Sequence, residues 1–407
     1  MYRHVIALLV LLLRPQGALA ADAPTRVIVL GVEHAAQLVA RADQPGALAA
    51  FAKSLAPDAI CIERAPEQFA RGDHYEFTYE IQGVLLPLAL ETGADICPFD
   101  WMPPVEDQKL ALGLDLETPP ELRPQSGFRG FLSFPEPAIL KRDLFDADRA
   151  ETTEPMRRWA GTAAPRADRD FPRRLYLYRT FMQAQRIRAA AGRRPGGTVL
   201  VVVGQFHKPD IEAILRDDPA IVLVQPSSLP RPTPDEVERA TTQVHRAAIL
   251  SFNLLGVQGE GGNVDWRWIG EVLDAFEARS PGPEARLYRI RYRQLTGVVA
   301  LAETIDAYRK LSRDPGASVM PIWNGVKDPA RIDSYFDSFG NLSVAQRATV
   351  ELARCLAVKG KGREAVDELA RARVGLSDMK VRQLDGYAAR FIPVAASSGR
   401  AATSPAR

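Results

Sequence analysis

The chain has 407 residues and a formal net charge of +2, from 52 basic and 50 acidic side chains. Arg3 and Arg14 supply that excess, so everything after the first segment is neutral and offers no electrostatic reason to bind nucleic acid. Three cysteines are far too few for a disulfide scaffold, and the length exceeds one ordinary core, so two units are expected.

Residues 1–20 read as a secretory signal. Arg3 and His4 precede the apolar run 5–13, and Ala18-Leu19-Ala20 supplies a small-residue cleavage site. That run is too short to span a bilayer and no later stretch is apolar enough, so the expectation is an exported protein, periplasmic or secreted, without a stable membrane span. The next segment, VIVLGVEH at 27–34, is a β-branched run followed by Gly, two residues and His. The same phrase returns as LVVVGQFH at 200–207. Such runs fit strands buried on both faces, and a Gly at the strand's end lets the backbone turn and deliver the His at a carboxyl edge.

Five strands are predicted, at 26–31, 58–63, 95–100, 198–204 and 221–225, with helices at 45–55, 75–90, 171–190 and 211–216. Strand–helix alternation argues for an α/β fold, a mostly parallel sheet with flanking helices over 21–228. An insertion at 101–170, rich in Pro and Arg with a helical stretch at 138–148, reads either as a lid over the sheet edge or as a surface excursion. Beyond the Pro-rich linker 229–234 the pattern is helical to 394, with helices at 235–255, 264–278, 283–311 and 344–373. Residues 351–371 resemble one tetratricopeptide hairpin, and this helical region is a candidate platform for a protein partner. The tail 395–407 is Ala/Ser/Pro-rich and expected to be disordered.

Each early strand carries a polar candidate at its carboxyl end. The first delivers Glu33 and His34, the second Glu63 and Arg64, the third Asp100 and the fourth His207. In one sheet these converge on the edge where open α/β folds bind ligands. Two chemistries are open. Imidazole can act as a general base with a carboxylate fixing its tautomer. Alternatively, His34, Glu63 and His207 can hold a divalent metal such as Mn, Co, Zn or Fe that activates water. Cys61 and Cys97 lie in or beside strands, where a bridge is conceivable, but buried free thiols are the expectation. His74 reads as a surface loop residue, His245 as a packing residue in the helical part, and no G-x-S-x-G elbow occurs. GVQGEGG at 256–262 lacks a preceding strand and a P-loop lysine.

GVEH, ICIER, LYRTFMQAQRI and VVVGQFHKPDIEAIL together resemble the superfamily of TraB-like proteins, Tiki proteases, erythromycin esterases and the haem-iron-binding ChaN, over roughly residues 26–228. The resemblance implies paired G-x-x-H histidines at His34 and His207, a strand-end acid at Glu63 and a helix arginine at Arg179, with Glu80 and Asp100 matching more loosely. Thr180 stands where family members often have Asp or Asn, and Glu33 where they often have a small or apolar residue. The expected function is hydrolysis of an ester or amide in a small-molecule or peptide substrate, water being activated by His34, Glu63 and His207, with or without metal. The alternatives are a non-catalytic holder of haem, metal or another small ligand, and a helical interaction platform with a degenerate site.

Overall fold

The structure, a computed structural model, describes residues 23–112 and 133–392. The predicted signal segment, the tail 395–407 and residues 113–132 of the insertion lie outside them.

Five parallel strands form one sheet in the order β3-β2-β4-β1-β5, with β1 Thr25–Val32, β2 Ala59–Ile62, β3 Asp95–Pro98, β4 Thr198–Gly204 and β5 Ile221–Leu223. All five predicted strands exist, each within two residues of its expected end. β1 and β4 are completely interior apart from Arg26 and the first residue of β4, which is why their sequences run apolar instead of alternating. The period of two still decides which core each side chain enters. Ile28, Leu30, Val32, Leu200 and Val202 join one core, and Val27, Val29, Val199, Val201 and Val203 the other.

The second core is closed by helix Phe171–Ala191, through Ala184, Ile187, Ala190 and Ala191, and by Lys208–Leu215 through Ile211 and Leu215. The first core is much larger. It runs from the sheet through helix Pro45–Ser54 and without a break into helices Gln243–Leu250, Trp266–Arg279, Pro283–Leu295, Leu301–Ser312, Val344–Val358 and Gly362–Ala372. Among the described residues no helix is long and apolar enough to cross a membrane.

Several long helical stretches are divided. The 75–90 stretch becomes a π-helical turn at Glu80–Leu85 followed by Leu86–Thr92, and 283–311 is cut after Leu295, where Gly297 takes a left-handed conformation. Residues 344–373 fold as the helices Val344–Val358 and Gly362–Ala372, with Gly360 left-handed between them. Helix Ala150–Gly161 inside the insertion was hidden by its Pro and Arg content, and residues 138–148 form 3₁₀ turns instead of a helix.

Cys61 and Cys97 are directly paired across β2 and β3 and are joined in a disulfide, with Cα atoms 4.3 Å apart. The expectation of free thiols is therefore corrected: cysteines in register on neighbouring strands, on the same face, fall within bridging distance. Cys355 is the free cysteine, buried in the helical part. Unfolded but unreduced protein should accordingly show one titratable thiol per chain and three after reduction. Replacing Cys61 and Cys97 by Ala should lower the unfolding free energy by about 2–4 kcal/mol in urea titrations.

Candidate functional site

The two G-x-x-H phrases lie side by side. β1 and β4 are neighbours with Gly31 opposite Val203 and Val32 opposite Gly204, so both histidines emerge at the centre of the carboxyl edge. β2 flanks β4 on the other side, with Ile62 opposite Val202, and brings Glu63 to the same place. The glycines serve close approach. Neither has a positive φ; the left-handed residue is His34 itself, at φ 42°. A Cβ on Gly204 would stand 3.2 Å from both Glu63 Oε2 and His34 Nε2, while one on Gly31 would meet Ala147 Cβ at 2.5 Å. The turn-making role expected of the glycines is thus a spacing role.

Glu63 is the hub. Its Oε2 accepts the Gly204 N–H at 2.6 Å, its Oε1 accepts from Arg179 Nη2 at 2.9 Å, and His207 Nε2 lies 3.7 Å from that same oxygen. Arg179 also donates to Asp100 through Nε at 2.9 Å and Nη2 at 2.7 Å, a two-pronged pairing that fixes the guanidinium plane. Asp100 is fully buried and also accepts from Gln183 at 2.8 Å and the Tyr75 hydroxyl at 3.4 Å.

Helix Phe171–Ala191 supplies Arg179 as part of a polar stripe. Tyr176, Arg179, Thr180 and Gln183 recur at helical spacing and therefore share a face. Tyr176 stacks on the His207 ring with centroids 5.0 Å apart. The Thr180 hydroxyl donates its single proton to the Tyr176 carbonyl at 2.8 Å, so at 2.7 Å from His207 Nδ1 it must accept. His207 therefore carries its proton on Nδ1 and turns the Nε2 lone pair toward Glu63. Thr180 had stood out in the sequence only as a departure from the family pattern.

The two histidines differ in their affinity for a proton. Burial, with Arg179 nearby, lowers His207 to about 3, so it is neutral at ordinary pH. Burial also works against the His34 imidazolium, but the Glu80 carboxylate, 2.7 Å from Nδ1, together with Glu63 overcomes it and raises His34 above 6.5. Burial raises Glu63 against the pull of Arg179, whereas at Asp100 the Arg179 contacts outweigh burial and hold the carboxyl low.

Of the sequence candidates, His34, Glu63, Asp100, Arg179 and His207 meet here, and Glu33 does not. Adjacent residues at a strand end point to opposite sides. Glu33 accordingly leaves His34 and pairs with Arg142 Nη1 at 2.9 Å, alongside Gln205, whose side-chain oxygen accepts from the same nitrogen at 2.8 Å. Arg142, buried and donated by the insertion, thereby clamps the inner residues of both motifs. His245 sits apart, capping helix Gln243–Leu250 and contacting the Gly83 carbonyl at 3.1 Å. His74 packs its ring edge against Phe69. Beyond the candidates, Glu80 had only a loose match in the sequence, and Thr180, Tyr176 and Gln183 were legible only as that polar helix stripe.

The residues that could hold a metal are His34, His207 and Glu63. They fit poorly, because Arg179 and the Gly204 N–H already engage the Glu63 oxygens, and among the described residues no three or more His, Cys, Asp or Glu side chains are grouped to hold an ion. The chain matches no protein-family model, no curated protein and no solved structure.

In proton NMR, His34 should titrate with a midpoint above 6.5 and His207 should stay neutral across about pH 5 to 8. Glu80→Gln should bring the His34 midpoint down. Since the folded value of His34 is raised, its pair with Glu80 stabilises the fold below 6.5, and that contribution is lost as pH rises through the raised value.

Proposed function

We propose that the carboxyl edge of this sheet hydrolyses an ester or amide bond in a small-molecule or peptide substrate. The single observation that carries this reading is a buried carboxylate, Glu63, set between two histidines of opposite protonation preference. In the proposed reaction Glu63, whose affinity for a proton is raised by burial, takes a proton from water as the water oxygen attacks the substrate carbonyl. His207 Nε2, a fixed acceptor, orients that water through its other hydrogen. His34, protonated and backed by Glu80, faces the oxyanion and then gives its proton to the departing oxygen or nitrogen. Glu63 returns its proton to His34 to close the cycle. Arg179 and Asp100 touch neither the water nor the substrate in this scheme; Arg179 holds the Glu63 carboxylate, Asp100 holds Arg179, and both are positioning residues.

The resemblance to the TraB, Tiki and erythromycin esterase superfamily supports the same reading through His34, Glu63, Arg179 and His207. The Cys61–Cys97 disulfide and the signal-like first segment support export to an oxidising compartment. Because the residues do not fit a metal, no step is assigned to one.

Screening purified protein against p-nitrophenyl esters and quenched peptides tests the proposal. Glu63→Gln should lower kcat by about 10²–10⁴-fold with KM little changed, the range for loss of a general base. Excess EDTA should leave the rate unaltered. Full activity in folded Glu63→Gln protein would overturn the assignment, and a copurifying chromophore without turnover would favour the ligand-holding alternative.

A further inference from the structure

Beside the histidine cluster lies a separate cavity of about 520 Å³, a volume within the usual range for small-molecule sites. Its walls come from the same strand ends. After β2, Glu63 turns to the cluster and Arg64 to the cavity; after β3, Asp100 turns to the cluster and Trp101 to the cavity. Tyr75 belongs to both, lining the cavity while its hydroxyl reaches Asp100.

The cavity is chemically two-sided. Tyr75, Trp101 and the Met102-Pro103-Pro104 run give it an apolar wall. Beside it lies Arg64, 1 % exposed, its guanidinium stacked on the Tyr75 ring 3.9 Å from the centroid. Asp73 takes two edges of that guanidinium, through its carbonyl at Nε and its carboxylate at 3.2 Å from Nη2. Arg64 Nη1 has no hydrogen-bond partner among the described residues. Lys327 approaches the same Asp73 carboxylate at 2.6 Å from the rim. Two cations therefore share one carboxylate, and a buried guanidinium nitrogen without an acceptor is costly unless something binds it. A neutral guest can meet Nη1 through a carbonyl oxygen but leaves the charge excess unanswered, and a cationic guest answers neither.

We infer that this cavity receives a carboxylate carried on an apolar or aromatic body, the acid facing Arg64 and Lys327 and the body against Trp101 and the Met102-Pro103-Pro104 run. Where the hydrolytic reading holds, and the word substrate rests on it, this cavity selects substrates bearing such an acid next to the scissile bond.

The test is binding, measured without turnover. The full chain is titrated with phenylacetate and with its neutral isostere phenylacetamide, by calorimetry and by tryptophan fluorescence. Phenylacetate should bind about 10-fold or more tightly than the amide, the difference expected for one charge-assisted hydrogen bond. Arg64→Gln should abolish that preference, and Trp101→Phe should remove the fluorescence response. Should Arg64→Gln fail to fold by circular dichroism, Lys327→Gln at the exposed rim serves instead and should weaken phenylacetate several-fold without affecting the amide. Equal affinity for the two probes, or no binding of phenylacetate, overturns the inference. Glu63→Gln should bind phenylacetate as the unaltered protein does, so a failure of the hydrolytic reading leaves this result intact and separately readable.

Discussion

One partly buried guanidinium organises the carboxyl edge of this protein. Arg179 grips Asp100 with two nitrogens and reaches Glu63 with one of them, so a single cation links the ends of β2 and β3 to helix Phe171–Ala191. The two buried carboxylates are held against the partly exposed guanidinium with their remaining valences met, by Gln183 and Tyr75 on Asp100 and by the Gly204 N–H on Glu63. The helix that carries Arg179 also carries Tyr176 and Thr180, which stack on His207 and set its tautomer. Fixing Arg179 therefore fixes Glu63, its neighbour imidazole and the mouth of the sheet together.

The two histidines illustrate how position, more than residue type, sets chemistry. Both follow a Gly by three residues on neighbouring strands. His207 faces a guanidinium and a hydroxyl and is kept neutral, whereas His34 faces Glu80 and is drawn toward its cation. Pairs of titratable groups whose surroundings push them apart are the usual sign of divided acid and base roles. The left-handed backbone of His34, a strained conformation for a non-glycine residue, is held in place by Glu80 and the edge of Phe77.

Much of the fold was legible because buried parallel strands write themselves as unbroken β-branched runs, and the repeated G-x-x-H phrase marked the strand ends where His34 and His207 converge. What escaped was what depends on pairing between distant segments. Glu33 looked equivalent to its neighbour His34, yet the pleat sends it to Arg142, a residue in the least readable stretch of the chain. The disulfide depended on Cys61 and Cys97 falling in register, which strand assignments two residues wide cannot fix. Thr180 read as an anomaly until the helix placed its hydroxyl between a carbonyl and an imidazole. The 283–311 stretch was cut at left-handed Gly297, which hydrophobic periodicity does not register, whereas the hairpin around Gly360 was legible in residues 351–371.

The central claim, that Arg179 and its carboxylates form one interdependent unit, is tested most directly by a double-mutant cycle on unfolding free energy with Arg179→Gln and Asp100→Asn. Interdependence predicts that Arg179→Gln alone costs about 3–5 kcal/mol, because it strands buried carboxylates. Adding Asp100→Asn should then recover part of that loss, giving a coupling of about 1–3 kcal/mol. Costs that add to within about 0.5 kcal/mol would contradict it, showing the guanidinium and Asp100 to be independent neighbours.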